Sequence, residues 1–275
     1  MVNKTQLPQE TVEKILDFYC NKQYGQQKVA KLTGVSISSI RKTLVENHVH
    51  IRSFSEAAKA SAQYRRKYEV NDKYFDKQTK NSVYLLGFIA ADGTVSKDSN
   101  QIKIGLSSVD KEFLEAINRE LQNEHPVFSY ETDNGYQVSE LKLTSKRIKD
   151  ELAKYNIIPR KTYSFEFPDL IDKQFYLDFI RGYFDGDGSV STAGPNAIRF
   201  QICSNRPGVL NKIVDILYSY GIEKVSVQSQ QRAGGPLYYI QYSTSATRKI
   251  YDLLYYPNCF CLPRKYEKYT KLVMK

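Results

Sequence analysis

The chain contains 275 residues, of which 41% are hydrophobic and 25% are charged, so it has enough apolar surface to fold around a core. No stretch approaches the roughly 18 consecutive apolar residues of a membrane-spanning helix, and the opening stretch, MVNKTQLPQE, lacks the apolar segment of a secretion signal. The 4 cysteines are too few for a disulfide scaffold and lack the paired spacing of a zinc site. We therefore expect reduced thiols in a cytoplasmic protein, with an organelle as the alternative location.

The positive charge is concentrated near the N-terminus. The net charge is +10, and residues 1–80 carry 15 Lys and Arg against 8 Asp and Glu, whereas residues 81–275 carry 25 against 22. A basic protein without a membrane segment favours a polyanionic partner, most often nucleic acid. A merely basic surface fits the composition equally well.

Residues 8–50 have the pattern of a small helical unit. A first helix follows Pro8, a second fits Gln26–Thr33, Gly34 suits the position after a helix end, and Ser36 can cap a third helix. The apolar residues expected to turn inward are Val12, Ile15, Leu16, Tyr19, Val29, Ala30, Leu32, Ile37, Ile40 and Leu44. A short helix, a turn with glycine and a second helix make the helix–turn–helix pattern.

Hydroxyls and cations line the exposed face of the third helix, where they could contact base edges and phosphates. They are Ser38, Ser39, Arg41 and Lys42. An ordinary three-helix bundle with a solvated face is the alternative. We expect residues 1–52 to form this module and residues 53–80 to form a basic linker, in which Arg65, Arg66 and Lys67 either contact phosphates or serve a solvated tether.

The rest of the chain contains an internal repeat. LLGFIAADGTV at 85–95 matches IRGYFDGDGSV at 180–190, and IIPRKTYSF at 157–165 matches CLPRKYEKY at 261–269. The matches make Asp92 equivalent to Asp187 and Lys161 equivalent to Lys265. Between the matched phrases, each half alternates helical and strand patterns in the order αββαββα. We predict an α+β fold of two pseudo-symmetric repeats, 81–168 and 169–275, packed through their first helices and preceded by the small all-α module.

Small residues four apart lie on one face of each first helix, Gly87 and Ala91 in one copy, Gly182 and Gly186 in the other. Such residues let two helix backbones approach closely. The C-terminal ends of the two helices are therefore expected side by side.

Each of those ends carries an aspartate before a glycine, Asp92 and Asp187. Two neighbouring carboxylates at the negative ends of helix dipoles repel each other, and divalent cations offset that cost. Mg²⁺ needs few carboxylates because it keeps water ligands, so two aspartates and a phosphodiester make a plausible hydrolytic site. Alternatively, Asp-Gly merely ends a helix and starts a turn.

The phrases LLGFIAADG and YFDGDG resemble the signature helices of the LAGLIDADG homing endonuclease family in its single-chain, two-repeat form. The resemblance covers residues 81–275, and the N-terminal unit is similar to helix–turn–helix extensions of phage and bacterial endonucleases. It implies a monomeric, site-specific enzyme that cuts double-stranded DNA at a long asymmetric target, with Mg²⁺ or Mn²⁺ as cofactor and without a membrane or small-molecule substrate. If the protein is bacterial or phage-encoded, it would be associated with the nucleoid.

The same resemblance implies roles for particular residues. Asp92 and Asp187 would be metal ligands, helped by the backbone carbonyls of Ala91 and Gly186. Lys161 and Lys265, placed in the loop after the last helix of each half, would polarise a water or stabilise charge on the phosphate. Weaker candidates for ordering metal-bound water close the first hairpins and are Ser107, Ser108, Ser204 and Asn205.

In this family the hairpins form a saddle over the major groove. Strand alternation would turn Ile102, Ile104 and their counterparts toward the helices and leave polar side chains facing DNA. The expected DNA-facing residues are Lys103, Lys142, Arg199, Gln201, Gln228, Gln230 and Arg232. The second signature has an acid, Asp185, where the first has Ala90, a departure that should leave activity intact.

Two rival functions use the same scaffold. A transcription regulator would bind DNA without cutting it, although both motif aspartates are present. An RNA maturase would assist intron splicing, against which the helix–turn–helix pattern counts. An intein is disfavoured because neither a Cys or Ser start nor a His-Asn end frames the chain.

Overall fold

The structure is a computed structural model that describes residues 7–57, 60, 68–194 and 197–273. It divides the chain into two compact units, Met1–Tyr68 and Glu69–Lys275. The cluster Arg65, Arg66 and Lys67 lies outside the described residues. Within the described ranges, no helix is both long enough and apolar enough to cross a bilayer.

In the part of the N-terminal unit that the structure describes, three short helices surround a small core. They are α1 (Gln9–Leu16, continued by a π-helical turn), α2 (Gln26–Thr33) and α3 (Ile37–Glu46). Gly34 ends α2 with a φ of 69°, a left-handed conformation that glycine adopts without strain. The Ser36 hydroxyl accepts a hydrogen bond from the Ser39 amide at 3.2 Å, which caps α3 as predicted.

Fewer side chains are buried in the core of this unit than the sequence pattern predicted. Its buried side chains are Ile15, Tyr19, Val29, Ile40 and Leu44. Leu32 and Ile37, expected to turn inward, are instead 52% and 45% exposed. Leu32 lies in the last turn of α2 and Ile37 is the first residue of α3, so the apolar stripe is exposed where these short helices end.

The second unit begins with the first repeat. Its elements are α4 (Lys80–Asp92), β1 (Gly93–Val95), β2 (Gln101–Ser107), α5 (Lys111–Glu120), β3 (Phe128–Glu131), β4 (Gln137–Thr144) and α6 (Lys146–Lys154). The strands form an antiparallel sheet in the order β1-β2-β4-β3. Residues 69–79, predicted to belong to the linker, pack on this repeat, and their side chains Val70 and Phe75 join its core.

The second repeat has the same order of elements. They are α7 (Tyr176–Asp187), β5 (Gly188–Gly194), β6 (Ala197–Ser204), α8 (Pro207–Ser219), β7 (Gln228–Arg232), β8 (Gly235–Tyr242) and α9 (Thr244–Leu254), followed by an additional helix, α10 (Pro263–Val273). Its antiparallel sheet has the order β5-β6-β8-β7, equivalent to that of the first repeat. The predicted pair of αββαββα repeats is confirmed.

Each sheet buries one face, as the alternating pattern predicted. Ile102 and Ile104 in β2, and Phe200 and Ile202 in β6, are fully buried in the core of the second unit, while the residues between them reach solvent. This alternation assigns Lys103, Lys142, Arg199 and Gln201 to the face opposite the core.

The two repeats join through α4 and α7, whose close approach depends on glycine. A Cβ atom on Gly87 would lie 2.1 Å from the Phe179 carbonyl oxygen, and one on Gly182 would lie 2.0 Å from the Tyr84 carbonyl oxygen. Any larger side chain would force the helix backbones apart. The helices are buried almost all round, which explains why α4 is apolar on every face.

Candidate active site

The C-terminal ends of α4 and α7 meet beside the helix interface. A Cβ atom on Gly186 would lie 2.3 Å from the Ala91 Cβ and 3.4 Å from the Asp92 Cγ. The absence of a side chain at Gly186 thus brings Asp92 and Asp187, the last residues of the two helices, into one small region. The structure therefore brings together the two predicted carboxylates.

The surroundings of these carboxylates disfavour their charged forms. Loss of hydration at the helix ends, followed by repulsion from Asp92, raises the pKa of Asp187 to about 6, although the side chain still reaches solvent. Loss of hydration likewise raises the pKa of Asp92, while Lys265 and Lys161 oppose that shift. A carboxylate pair of this kind gains from a nearby cation.

Two lysines approach the helix ends from the segments that follow the last helix of each αββαββα unit. The Lys161 Nζ donates to the Gly93 carbonyl oxygen at 2.6 Å and lies 3.5 Å from the Ala91 carbonyl oxygen. The Lys161 ammonium therefore sits at the negative end of α4, and the Lys265 ammonium sits at the corresponding end of α7. Lys161 lies in a 3₁₀ turn, and Lys265 lies in the first turn of α10 rather than in the expected loop.

Lys265 is the more completely bonded of the two lysines. Its Nζ donates to the carbonyl oxygens of Phe184 at 2.8 Å, Gly186 at 2.8 Å and Gly188 at 2.6 Å. An ammonium has three protons, so all its donors are used. Burial lowers the pKa of Lys265 to about 8, although three nearby aspartates oppose the shift. Lys265 therefore has no proton left for a further hydrogen bond in this arrangement.

The donor set fits Mg²⁺ or Mn²⁺ better than a metal that needs a full protein cage. Among the described residues, no group of three or more His, Cys, Asp or Glu side chains could hold an ion. Two carboxylates leave positions for waters and phosphate oxygens, as Mg²⁺ prefers. The Ala91 and Gly186 carbonyls, predicted to assist, have the lysine contacts described above, and each oxygen keeps a second lone pair.

Two of the four side chains predicted to order metal-bound water have other partners. The buried Ser204 hydroxyl accepts from the Tyr183 hydroxyl at 3.2 Å and from the Arg206 amide at 3.1 Å. Ser108 accepts from the Ser139 hydroxyl at 3.2 Å, while Ser107 and Asn205 are exposed. A role for these four residues in water ordering stays a prediction.

The polar face of the first sheet includes an acid that the sequence reading missed. Lys103 and Lys142 are paired across β2 and β4, and both reach Glu140, at 3.5 Å and 3.0 Å. The alternation of QVSELKLT, which placed Lys142 on this face, also places Glu140 there. On the second sheet, Gln228, Gln230 and Arg232 are exposed. Contact of these residues with DNA stays a prediction.

The predicted recognition residues lie at the surface of α3. Ser38, Arg41 and Lys42 are exposed and Ser39 is half-buried. The hydroxyls of Ser38 and Ser39 each lie 2.9 Å from the Ser36 hydroxyl, so they support the helix cap. Lys42 pairs with Glu46 at 3.4 Å, an exposed contact that costs little to break.

Comparison with known proteins identifies the duplicated unit. The family model described as "LAGLIDADG-like domain" matches residues 80–155 and 174–254. A DNA-directed RNA polymerase subunit, Rpo1C of Methanocaldococcus jannaschii, is 26% identical over 151 residues, covering 54% of this chain. The match spans only 17% of the length of that relative.

The solved structures that match this chain are distant from it in sequence. The I-WcaI homing endonuclease bound to its DNA recognition sequence is 13% identical, with a TM-score of 0.47, over 81% of this chain and 96% of that chain. The N-terminal LAGLIDADG domain of DUF199/WhiA is 16% identical, with a TM-score of 0.44, over 82% and 98%. Because the family model matches more than half of the chain, in two successive copies that coincide with the two repeats, this chain belongs to the LAGLIDADG-like domain family.

Proposed function

We propose that the chain is a site-specific homing endonuclease that cleaves both strands of double-stranded DNA in a metal-dependent reaction. The observation that carries the proposal is the duplicated pair of an aspartate and a lysine, Asp92 with Lys161 and Asp187 with Lys265, at the joined ends of α4 and α7. Two equivalent acidic groups at one pseudo-dyad suit two scissile phosphates on opposite strands. The divergence of the repeats suits an asymmetric target read by a monomer, which we place in the cytoplasm.

Asp92 and Asp187 would hold the metal, with the Ala91 and Gly186 carbonyls beside them. A bound Mg²⁺ or Mn²⁺ would supply Lewis acidity toward a phosphate oxygen and lower the pKa of a coordinated water. Lys161 and Lys265 would offset negative charge around the helix ends. The polar faces of both sheets would contact the target DNA. Lys103 and Lys142 would then leave Glu140 and contact the DNA instead.

The direct test incubates the protein with the uninterrupted allele of the DNA that flanks its own gene. Mg²⁺ or EDTA is added, and the products are resolved on native and denaturing gels. A discrete double-strand cut that EDTA abolishes is the expected result. If footprinting shows that the protein binds this DNA but no cut occurs at any Mg²⁺ or Mn²⁺ concentration, the proposal is contradicted and a regulator is favoured. If the protein instead stimulates splicing of intron RNA, a maturase is favoured.

Metal binding is expected to weaken as the pH falls through about 6, the value to which the pKa of Asp187 is raised. Below that pH the carboxyl takes up a proton that the metal must displace, so affinity declines by up to roughly tenfold per pH unit. The measurement is the rise in melting temperature on adding Mg²⁺, which reports preferential binding to the folded protein. We expect a smaller rise at pH 5 than at pH 7.5, and an equal rise at both would contradict the assignment.

The N-terminal unit is expected to add affinity for DNA through α3. The double change Arg41→Ala and Lys42→Ala should reduce affinity and lower the slope of log affinity against log salt by about 2 if both side chains contact phosphates. The matched control is Lys14→Ala, which removes an exposed cation from α1 of the same unit. An equal loss per cation in the control would indicate general charge attraction and contradict a recognition role for α3.

A further inference from the structure

We infer that Asp185 is a positioning residue: its buried carboxylate anchors the start of α10 to α7 and so holds Lys265 at the catalytic end of that helix. The inference deepens the proposed nuclease function at the second half of the site and rests on it for its catalytic meaning. It does not concern metal ligation.

The Asp185 carboxylate is buried, with 1% exposure, and accepts three hydrogen bonds. The Leu262 backbone amide donates to Oδ2 at 2.7 Å, the Tyr84 hydroxyl donates to the same oxygen at 2.7 Å, and the Tyr255 hydroxyl donates to Oδ1 at 2.6 Å. Two donors thus come from the segment that follows α9, and one comes from α4. A charged acceptor makes these bonds stronger than bonds between neutral groups.

Leu262 is the residue immediately before α10, and Lys265 lies one helical turn further on. The Leu262 carbonyl oxygen accepts from the Lys265 amide at 3.1 Å, the first hydrogen bond at the start of this helix. One peptide residue therefore joins the two contacts: its N–H is held by Asp185 and its C=O holds the backbone of Lys265. Asp185 itself lies on α7. Its bond to Leu262 therefore holds the backbone of Lys265 against the same helix whose carbonyl oxygens the lysine contacts.

The asymmetry between the repeats supports this role. In the first repeat, Ala90 replaces the acid, and only residues 155–160 separate α6 from Lys161. In the second repeat, the longer stretch 255–264 separates α9 from Lys265. A longer connection has more conformational freedom to lose, so its functional residue needs an additional anchor.

Two arginine contacts also hold this segment. Arg181 donates to the Phe260 carbonyl oxygen at 3.0 Å, and Arg264 pairs with Asp110 at 2.9 Å. The Arg181 side chain, on α7, meets the segment earlier, at Phe260, and the Arg264 contact joins a side chain to the first repeat. Only the Asp185 contact, among those described, fixes the backbone at Leu262 to α7.

Two variants of Asp185 separate positioning from packing. Asp185→Leu has a similar size and cannot accept from Leu262, so Lys265 should leave its carbonyls more often. Asp185→Asn can keep its oxygen toward Leu262 and Tyr84 while its amide donates to the Tyr255 oxygen, so it should restore the anchor. Tyr84→Phe is the matched control, because it removes one bond to the same carboxylate but keeps the ring that packs against Phe260 in the segment that carries Lys265.

The first readout does not need nuclease activity. Pulse acetylation of the full-length folded protein, read by mass spectrometry, gives the labelling rate of Lys265, with Lys161 as the internal standard. We expect Asp185→Leu to raise the ratio of Lys265 to Lys161 labelling about tenfold or more, and Asp185→Asn and Tyr84→Phe to leave it within about twofold of wild type. An unchanged ratio in folded Asp185→Leu would overturn the inference, even in a protein that does not cleave DNA.

The second readout links the anchor to cleavage of one strand. Labelling the two DNA strands separately gives the ratio of their cleavage rates, which a general loss of stability would not alter. Asp185→Leu should slow one strand selectively and accumulate nicked DNA, with Asp185→Asn near wild type. Equal slowing of both strands would overturn the catalytic role, whereas a wild-type protein that cuts neither strand would refute the proposed function instead.

A third measurement applies if Asp185→Leu does not fold. The exchange rate of the Leu262 amide proton is then measured in the wild-type protein by NMR. Strong protection, comparable with that of the α7 amides, is expected for a buried, charge-assisted bond. Exchange of the Leu262 amide at the rate of an unprotected peptide would show that Asp185 does not hold it, and would overturn the inference.

Discussion

Asp92→Asn and Asp187→Asn are each expected to reduce double-strand cleavage by roughly 10²–10³-fold or more, because each removes one of the two carboxylates that meet at the ends of α4 and α7. The neutral amide keeps the shape of the side chain but contributes no charge to metal binding. Initial rates of linear product formation with saturating Mg²⁺ give the measurement.

The same substitutions should not damage the fold. Both carboxyls have raised pKa values in the folded chain, so ionising them costs folding free energy near neutral pH, and the amides remove that cost. The metal-free variants should therefore melt no lower than wild type and bind target DNA at least as well. Asp150→Asn, an exposed change on α6, is the control for a generic loss of charge. Cleavage within threefold of wild type in either variant would show that the substituted aspartate is not required for cleavage.

Gly182→Ala is expected to lower the free energy of unfolding by about 3 kcal/mol, at the upper end for overpacking. The added Cβ would lie 2.0 Å from the Tyr84 carbonyl oxygen and 2.8 Å from the Phe88 amide nitrogen. Both are backbone atoms of α4, which cannot rotate away as a side chain could. Relief requires separation of α4 and α7, and that movement would also separate Asp92 from Asp187.

Urea unfolding of the full chain measures this effect. Gly105→Ala in β2 is the matched control, since no atom lies within 4 Å of its added Cβ. It should leave stability unchanged or slightly higher, because alanine restricts the unfolded chain more than glycine does. Equal stability of Gly182→Ala and Gly105→Ala would show that the helix interface tolerates a side chain and that the close approach is not required.

Features that depend on near neighbours in the chain could be predicted without the structure. The spacing of Gly87 and Ala91, and of Gly182 and Gly186, predicted which faces of the two helices meet. The limits of α2 followed from its apolar residues and the glycine after it. Period-two alternation assigned Ile102 and Phe200 to the buried faces, because a strand turns successive side chains to opposite sides.

Predictions that needed more than one local pattern were less complete. The third-helix stripe correctly included Ile40 and Leu44 but also Ile37, which the short bundle leaves exposed. Glu140 satisfies the same alternation as Lys142, yet only the pairing of β4 with β2 makes it a shared partner of two lysines. Local periodicity assigns a face, and the partners on that face depend on strands distant in sequence.

By itself, the sequence determined the duplication, the order of elements in each repeat and the pairing of the motif helices, because these follow from local periodicity and from residues repeated at equivalent positions. Only the tertiary structure decided how Lys265 uses its three donors and that Asp185 holds Leu262, a residue 77 positions away. Such contacts are set by how the segment after α9 packs against α7. No local pattern predicts these contacts, because the donors that satisfy a buried acid come from segments distant in sequence.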